Sequence, residues 1–274
     1  MTLSDLIKAA IKEDMPRGDL TTESLGLKPR QGRALLKAKE DIILSGTLPF
    51  EETVLSLDPG VKVKWHFEEG QAVLKSQNIC TLEGDLVQIL KSERVALNFL
   101  GHLSGIATHT NRFVQKLKGT QTRILDTRKT TPGLRELEKR AVVHGGGQNH
   151  RLNLSTAVLI KDNHIAIMGG MSMAVQRVRL HSPEPIEIEA RTLEEVKEAV
   201  KLEVHRILLD NMDNATLKLA LDLIPDQIET EASGNMTLDR IRNVAELGVD
   251  FISVGALTHS APVADVSLMF DWNS

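Results

Sequence analysis

The stretch "IEIEARTLEEVKEAVKLEVHRILLDN", residues 186–211, contains the pattern that decides the fold. It opens and closes with short apolar runs rich in β-branched residues, and between them apolar residues recur every three to four positions. Such recurrence predicts a helix, and the flanking runs predict strands. Because parallel strands need a long crossover connection, the stretch predicts one unit of a parallel sheet covered by helices.

The same alternation continues on both sides of this unit. Further strand-like runs are "TRILDT" (122–127), "TAVLIKD" (156–162), "QIETEAS" (227–233) and "DFISVGA" (250–256), and helix-like segments are "NATLKLALDLI" (214–224) and "TLDRIRNVAELG" (237–248). With the two runs above, at least six strands are predicted. That number favours a TIM-like barrel, complete or incomplete. A doubly wound sheet is the alternative, although no GxGxxG motif follows a first strand.

Residues before about position 105 follow a different pattern. Segments such as "GRALLKAKEDIILSG" (32–46) and "VKVKWHFEEGQAV" (61–73) alternate between turn residues, which predicts a small antiparallel sheet. An amphipathic helix with Ser4 as its N-cap is predicted at the N-terminus. A long helix is predicted over residues 86–117, interrupted near Gly101 or Gly105.

Composition restricts the possible partners. The chain has 274 residues, a net charge of −4 and a single cysteine, Cys80. The negative charge argues against general attraction to nucleic acid or an anionic membrane, and no apolar segment is long enough to span a bilayer. Because the net charge is negative, any site for an anion must be local. One cysteine cannot form an internal disulfide, so we expect a cytoplasmic protein.

Charged and small residues follow nearly every predicted strand. The carboxyl ends of parallel strands are where ligands bind in both architectures. The residues at these ends are Asp126, Thr127, Arg128, Lys129, Lys161, Asp162, Glu189, Asp210, Asn211, Glu231, Ser233, Gly234 and Gly255. We therefore expect the functional site on this rim.

Five cations belong to neighbouring units of the rim, in a protein that is acidic overall: Arg128, Lys129, His150, Arg151 and Lys161. Guanidinium groups suit carboxylates and phosphates because their planar fork donates two parallel hydrogen bonds. Ordinary surface ion pairs are the alternative. Together the five cations predict a polyanionic substrate.

Two acids form the opposing feature. Glu189 lies within the apolar "IEIEA", on the same face as Glu187, and Asp210 ends the next strand. Neighbouring carboxylates of this kind suit Mg²⁺, which also contacts substrate phosphates. Buried salt bridges to the rim cations are the alternative.

The last two strands end in glycine turns. "EASGNMTLDRI" leads through Ser233 and Gly234 toward a helix, with Asn235 or Thr237 as its cap, and "SVGALTHSAP" does the same through Gly255. Exposed N–H groups at such turns favour an anion, and barrels commonly bind phosphate at their last two strand loops. The sequence therefore predicts a phosphate end.

Several long motifs occur in a characteristic order. They are "KEDMPRGDLTT" (12–22), "ERVALNFLGHLSGIAT" (93–108), "ILDTRKTTPGLRELEKRAV" (124–142), "HGGGQNHRLNLS" (144–155), "VLIKDNHI" (158–165), "LLDNM" (208–212), "EASG" (231–234) and "ISVGALTHS" (252–260). In this the chain resembles the quinolinate phosphoribosyltransferase family over nearly its whole length.

The resemblance implies a fold and a reaction. The fold is an N-terminal open-faced α/β sandwich, residues 1–105 joined by the tail 265–274, and an incomplete seven-stranded barrel, residues 106–264. The reaction joins quinolinate to 5-phosphoribosyl 1-diphosphate with loss of CO₂, using Mg²⁺. The family forms homodimers, which also assemble into hexamers as trimers of dimers.

Site residues implied by the resemblance fall into three groups. Quinolinate would contact Thr127, Arg128, Lys129, His150, Arg151 and Lys161, with Arg94 from the neighbouring subunit. The ribose and Mg²⁺ would contact Glu189 and Asp210, which with Lys129 and Lys161 form the implied catalytic set. The 5′-phosphate end would comprise Ser233, Gly234, Asn235, Gly255, Ala256 and His259.

The chain departs from the family pattern at Asn235, where a second glycine is usual, and at Ala190, where valine is usual. Asparagine tolerates left-handed backbone, so we expect the phosphate turn to persist. Three alternatives remain. They are the paralogue associated with molybdate transport, a nicotinate phosphoribosyltransferase and a catalytically silent phosphosugar-binding or scaffold protein. The complete motifs argue against the first, the number of cations argues against the second, and the intact acids, cations and glycines argue against the third.

Overall fold

The computed structural model describes residues 2–271. The chain divides into two compact units. Unit 1 comprises Met1–Asn111, Thr131–Gly146 and Thr258–Ser274, and unit 2 comprises Arg112–Thr130 and Gly147–Leu257. Unit 1 thus includes the segments 106–111, 131–146 and 258–264, which sequence reasoning assigns to the barrel.

Unit 1 contains an antiparallel sheet and several helices. In chain order its elements are α1 (Leu3–Asp14), α2 (Leu20–Ser24), β1 (Gln31–Ala38), β2 (Ile42–Ile43), α3 (Thr47–Leu57), β3 (Lys62–Trp65), β4 (Ala72–Val73), β5 (Asn78–Asp85) and α4 (Leu86–Lys116), whose last residues enter unit 2. The helix α5 (Arg135–His144) and the strand β12 (Val266–Asp271) complete it.

The sheet of unit 1 has the strand order β12-β1-β5-β3. All three of its pairings are antiparallel, which confirms the sequence-based prediction. The pairing of β12 with β1 extends from Ala38↔Val266 to Arg33↔Asp271. The C-terminal tail is thereby joined to the N-terminal sheet as far as residue 271, and residues 272–274 lie outside the described part.

Two details of the helices differ from the prediction. The N-cap of α1 is Thr2, whose side chain accepts from the Asp5 N–H, and not Ser4, which lies inside the helix. Helix α4 runs through Gly101 and Gly105 without interruption. At Gly105 a Cβ atom would lie 2.0 Å from the Pro262 carbonyl oxygen. The glycine therefore serves a close approach between chain segments and does not end the helix.

Unit 2 alternates strands with helices. Its elements are β6 (Arg123–Leu125), β7 (Val158–Ile160), α6 (Asp162–Met168), α7 (Met171–His181), β8 (Ile186–Ala190), α8 (Leu193–Lys201), β9 (Arg206–Asp210), α9 (Asn214–Leu221), β10 (Glu229–Ser233), α10 (Ile241–Ala245), β11 (Phe251–Ser253) and α11 (Ala256–His259), which ends in unit 1. All six predicted strands are present.

The six strands of unit 2 form one sheet in the order β6-β11-β10-β9-β8-β7. Every pairing in it is parallel, which confirms the α/β class and fits an incomplete TIM-like barrel. Among the described residues the sheet has six strands, and a seventh position is marked only by an isolated bridge between Leu125 and Gln148. The expected count of seven is met only if this bridge is included.

Helix α8 shows why the opening stretch folds as predicted. Thr192 caps it, accepting from the Glu195 N–H, while the Glu195 carboxylate accepts from the Thr192 N–H. This reciprocal capping box satisfies backbone donors that the first turn leaves without partners. Val196 and Ala199 face inward, and all five residues of β8 are buried. None of the described helices combines the length and the apolar character needed to cross a bilayer.

Candidate active site

The loop that carries His150 and Arg151 is fixed beside β6 by a buried acid. Asp126 is fully buried, and its Oδ1 accepts from the His150 N–H at 2.8 Å. The Asp126 N–H donates to the Gln148 carbonyl at 3.1 Å. These bonds hold residues 148–150 against the end of β6. These contacts thus fix the backbone next to Arg128 and Arg151.

The charges of Arg128 and Arg151 act on each other at this end of unit 2. Burial lowers the pKa of Arg151, and the positive charge of Arg128 lowers it further, although Glu187 acts in the opposite direction. The Arg151 Nη1 donates to the Ala157 carbonyl at 3.1 Å. A pair of mutually repelling cations is stabilised by an anion that contacts both. The arrangement therefore suits a carboxylate or phosphate ligand.

The two lysines lie at exposed positions of the same unit. The Lys129 N–H donates to the Thr127 hydroxyl at 3.1 Å, in the turn that follows β6. Lys161 is the N-cap residue of α6, directly after β7, and its positive charge acts on Glu189. Sequence reasoning placed both lysines at strand ends, and the structure agrees.

His150 differs from the other predicted rim cations. Its Nε2 lies 3.0 Å from Glu187 Oε2 and 3.6 Å from Glu231 Oε2, and the Arg151 N–H donates to its Nδ1 at 2.7 Å. Burial lowers the pKa of His150, but Glu187 and Glu231 raise it more. Both ring nitrogens thus contact protein groups in the unit's interior. These contacts anchor the loop, and the role of His150 as a substrate-binding residue stays a prediction.

The interior cluster consists of His150, Glu187, Arg206 and Glu231. Glu231 is fully buried, and burial with the charge of Glu187 raises its pKa to about 7. Arg206 Nη1 lies 3.2 Å from Glu231 Oε2, and the guanidinium stacks over Phe251 at 4.1 Å. Sequence reasoning missed this cluster as a unit, although the alternation in "IEIEA" and "ETEAS" marks both acids.

Ligand-type atoms of three members of the interior cluster, His150, Glu187 and Glu231, lie within 4.8 Å of one another. This spacing could accommodate a metal ion. However, Arg206 already contacts Glu231, and a divalent cation beside this partly buried guanidinium would be repelled. We interpret the interior cluster as a closed network of ion pairs.

The acid cluster consists of Asp162, Glu189 and Asp210, with Arg191 between them. Arg191 Nη2 lies 2.8 Å from Asp162 Oδ2 and 2.9 Å from Glu189 Oε1, and its Nε lies 3.5 Å from Asp210 Oδ2. Burial and the charge of Asp210 raise the pKa of Glu189. Arg191 follows β8 directly, and sequence reasoning did not select it.

The acid cluster fits a divalent cation. Three carboxylates share one guanidinium, and Arg191 is half exposed and can move aside. The buried Oε1 of Glu189 makes no hydrogen bond of good geometry, although Arg191 lies within ion-pair distance. Hard oxygen atoms with excess negative charge are the ligands that Mg²⁺ prefers. Glu189 and Asp210 are thus suited to hold it directly or through water.

The predicted phosphate turn has the expected backbone, but the helix after it does not. Gly234 and Asn235 both have positive φ values, 94° and 49°. Helix α10 begins only at Ile241, with Arg240 as its N-cap residue, so neither Asn235 nor Thr237 caps it. Any anion here would therefore contact turn N–H groups, because the five-residue α10 begins too far along the chain.

The remaining predicted residues lie as follows. Gly255 and Ala256 follow β11 at the same strand-end level, within unit 2. His259 belongs to unit 1, where its Nδ1 lies 2.7 Å from the Ser260 hydroxyl. Arg94 lies on α4 in unit 1 and is exposed. Unit 2 therefore unites most predicted site residues, while these two belong to unit 1.

Comparison with known proteins identifies the family of the chain. The family model described as "Quinolinate phosphoribosyl transferase, N-terminal domain" matches residues 19–104, and the corresponding C-terminal domain matches residues 106–269. A probable nicotinate-nucleotide pyrophosphorylase [carboxylating] of Synechocystis sp. is 46% identical over 264 residues, covering 94% of this chain and 89% of the relative.

Solved structures show the same similarity. The nicotinate-nucleotide pyrophosphorylase from Francisella tularensis superposes with a TM-score of 0.94 at 36% identity, covering 98% of this chain and 96% of that one. The enzyme of that name from Ehrlichia chaffeensis gives 0.94 at 38% identity, covering 99% of both chains. The chain belongs to the quinolinate phosphoribosyltransferase family and is a phosphoribosyltransferase.

Proposed function

We propose that the rim of unit 2 is where this phosphoribosyltransferase joins quinolinate to 5-phosphoribosyl 1-diphosphate. The products would be nicotinate mononucleotide, CO₂ and diphosphate, a step of de novo NAD biosynthesis. The observation that carries the proposal is the group of cations at this rim, where Arg128 and Lys129 follow β6, Lys161 follows β7, and the charge of Arg128 acts on Arg151. A dianionic pyridine dicarboxylate would offset this positive charge.

Quinolinate would be held by Arg128 and Arg151, with Lys129 and Lys161 adding charge at the exposed side. Thr127 would contribute through the turn that it forms with Lys129. Arg94 of the neighbouring subunit would complete the pocket, as the family resemblance implies. His150 would also contact quinolinate, as the family resemblance implies, and Asp126 would hold the loop in place.

The acid cluster would face the ribose and the diphosphate. Bound Mg²⁺ would neutralise the developing charge on the diphosphate leaving group. Glu189 and Asp210 would favour the positive charge that develops on the ribose ring as the bond to diphosphate weakens. Arg191 would leave the acids when the donor binds.

The chemistry requires no protein nucleophile. The pyridine nitrogen forms a bond to ribose C1 while the bond from C1 to diphosphate breaks. The ring, now cationic, accepts the electron pair released as the C2 carboxylate departs as CO₂, and C2 then takes up a proton. A site that excludes water favours loss of the carboxylate.

The 5′-phosphate would bind at Ser233, Gly234 and Asn235, with Gly255 and Ala256 beside them. The family resemblance alone assigns His259, a residue of unit 1, to this phosphate. The functional assembly would be a homodimer, free or within a hexamer. We place it in the cytoplasm, because its one cysteine, Cys80, is buried in the core of unit 1 as a free thiol.

The direct test is incubation with quinolinate labelled at the C2 carboxylate, the diphosphate donor and Mg²⁺. We expect equal amounts of labelled CO₂ and diphosphate to be released. Nicotinate in place of quinolinate serves as the control, because it lacks the second carboxylate. Turnover of nicotinate without turnover of quinolinate would overturn the proposal.

A further inference from the structure

Two turns of unit 2 interlock at the carboxyl ends of β9 and β10. The Asn211 N–H donates to the Ser233 carbonyl at 3.0 Å, and Asn211 itself has a positive φ of 56°. A Cβ atom on Gly234 would lie 2.2 Å from the Asn211 Oδ1 and 2.9 Å from the Asn211 nitrogen. The two turns therefore touch through backbone, without space for an added side-chain atom.

Arg240 bonds to both of these turns. Its Nη1 donates to the Gly234 carbonyl at 3.0 Å, and its Nη2 donates to the Met212 carbonyl at 2.5 Å. A guanidinium is planar, so two carbonyls that share it are held in a fixed relative orientation. Arg240 also lies at the N-cap position of α10, which anchors its backbone.

The bond to Gly234 determines where the next N–H group points. In a trans peptide the carbonyl of one residue and the N–H of the next point in opposite directions. With the Gly234 carbonyl held toward Arg240, the Asn235 N–H is directed away from it. Within residues 2–271 this N–H donates no hydrogen bond, and Asn235 is exposed.

We infer that Arg240 is a positioning residue for the phosphate end, holding the Asn235 N–H in the orientation in which it donates to a phosphate. The inference rests on the proposed function, because it assigns the 5′-phosphate of the donor to this turn. Arg240 acts through the backbone of Gly234, and its guanidinium does not contact the ligand.

The same helix supplies a matched control. Arg242 also donates to two carbonyls, those of Lys118 at 2.7 Å and Lys116 at 3.3 Å, and contacts Glu246 at 2.6 Å. It therefore joins chain segments as Arg240 does, but away from the interlocked turns. A general structural contribution would affect both arginines alike.

The experiment compares R240Q and R240K with R242Q in the full-length protein. We expect R240Q to raise the KM for 5-phosphoribosyl 1-diphosphate about tenfold or more, with the KM for quinolinate unchanged. R240K should behave like R240Q, because an ammonium group cannot bridge two carbonyls as a fork does. Wild-type kinetics in R240K, or equal KM values in R240Q and R242Q, would overturn the inference.

A binding measurement separates this inference from the proposed reaction. Calorimetry with ribose 5-phosphate should show binding to the wild type and to R242Q, and binding at least tenfold weaker to R240Q. Equal affinities, or no binding by the wild type, would overturn the role of Arg240. Binding that follows this pattern in a protein that does not turn over quinolinate would instead overturn the proposed reaction alone.

Discussion

Arg151 illustrates at the residue scale how burial prepares a cation for a ligand. Arg151 is partly buried, and burial and the charge of Arg128 lower its pKa, so a bound anion would stabilise its charged form. Losing a hydrogen bond at the surface costs little free energy, because water replaces the lost partner. Losing a buried hydrogen bond to a charged group costs more.

Arg151→Ala should weaken quinolinate binding strongly. The loss of one buried charged hydrogen-bonding partner costs roughly 2 to 5 kcal/mol, which is measured as a rise in the KM for quinolinate. Arg33→Ala is the control, because Arg33 pairs with Glu83 at an exposed position of unit 1. Unchanged quinolinate affinity in a folded Arg151→Ala protein would remove Arg151 from the pocket.

Glu189→Gln should lower kcat by about 100-fold and leave quinolinate affinity nearly intact. The amide keeps the shape of the side chain but removes the negative charge that we propose to face the ribose and Mg²⁺. The Mg²⁺ concentration needed for half-maximal rate should rise at the same time. Glu246→Gln is the control on the surface. If quinolinate affinity fell while the Mg²⁺ dependence stayed normal, the assigned roles would be wrong.

Glu231 should make the stability of the protein depend on pH. Its folded pKa of about 7 lies above the ordinary value of 4.5, so the folded state binds more protons than the unfolded state between these values. Stability contributed by this group is therefore full below pH 4.5 and falls as pH rises toward 7, by roughly 1 kcal/mol per pH unit.

Urea denaturation at several pH values tests this dependence. Glu231→Gln removes the titration while His150, Glu187 and Arg206 still surround the position. Relative to the wild type, the variant should gain stability as pH rises from about 4.5 to 7. A constant difference across that range would contradict the raised pKa of Glu231.

At the scale of elements, α4 contains two glycines with different environments. A Cβ at Gly105 would meet the Pro262 carbonyl at 2.0 Å, whereas at Gly101 the nearest atoms lie at 3.0 Å. Replacing glycine by alanine in a helix interior stabilises the helix by up to about 1 kcal/mol. Forcing an extra methyl group into a packed site costs about 1 to 3 kcal/mol. The net effect of a glycine-to-alanine change on stability thus depends on how closely residues 262–264 approach the helix.

Gly105→Ala should therefore destabilise the protein, by about 1 to 2 kcal/mol, while Gly101→Ala should be close to neutral. Thermal denaturation of the two variants measures the difference, and the shared helix provides the matched control. Equal stabilisation by both substitutions would show that helix propensity alone governs these positions.

At the scale of the whole molecule, we propose that a residue from a second subunit completes the pocket. Arg94 lies exposed on α4 in unit 1, whereas Lys161 belongs to unit 2. Arg94→Ala and Lys161→Ala should each abolish activity in a folded protein. In a mixed dimer one site carries both defects and the other carries neither, so activity should return to roughly a quarter of the wild-type value after random exchange. No recovery despite proven exchange would contradict a shared site.

Local sequence patterns were sufficient to predict most elements of the fold. The six strands of the parallel sheet follow from short β-branched runs, and α8 follows from apolar spacing together with its cap. These features depend on neighbours within a few residues. Features that depend on distant partners are less predictable. The sequence alone suggests that Gly105 interrupts α4, because the Pro262 carbonyl that needs a glycine there lies far along the chain.

The sequence by itself determined the α/β class, the strand ends that carry charge and the family motifs, because periodicity and residue type are local properties. Only the tertiary structure decided which charges meet. It turned His150 inward to Glu187, placed Arg191 among the three acids and joined two turns through Arg240. These contacts join residues from different strand ends, so their geometry depends on how the parallel strands pack and align, which no short stretch of sequence specifies.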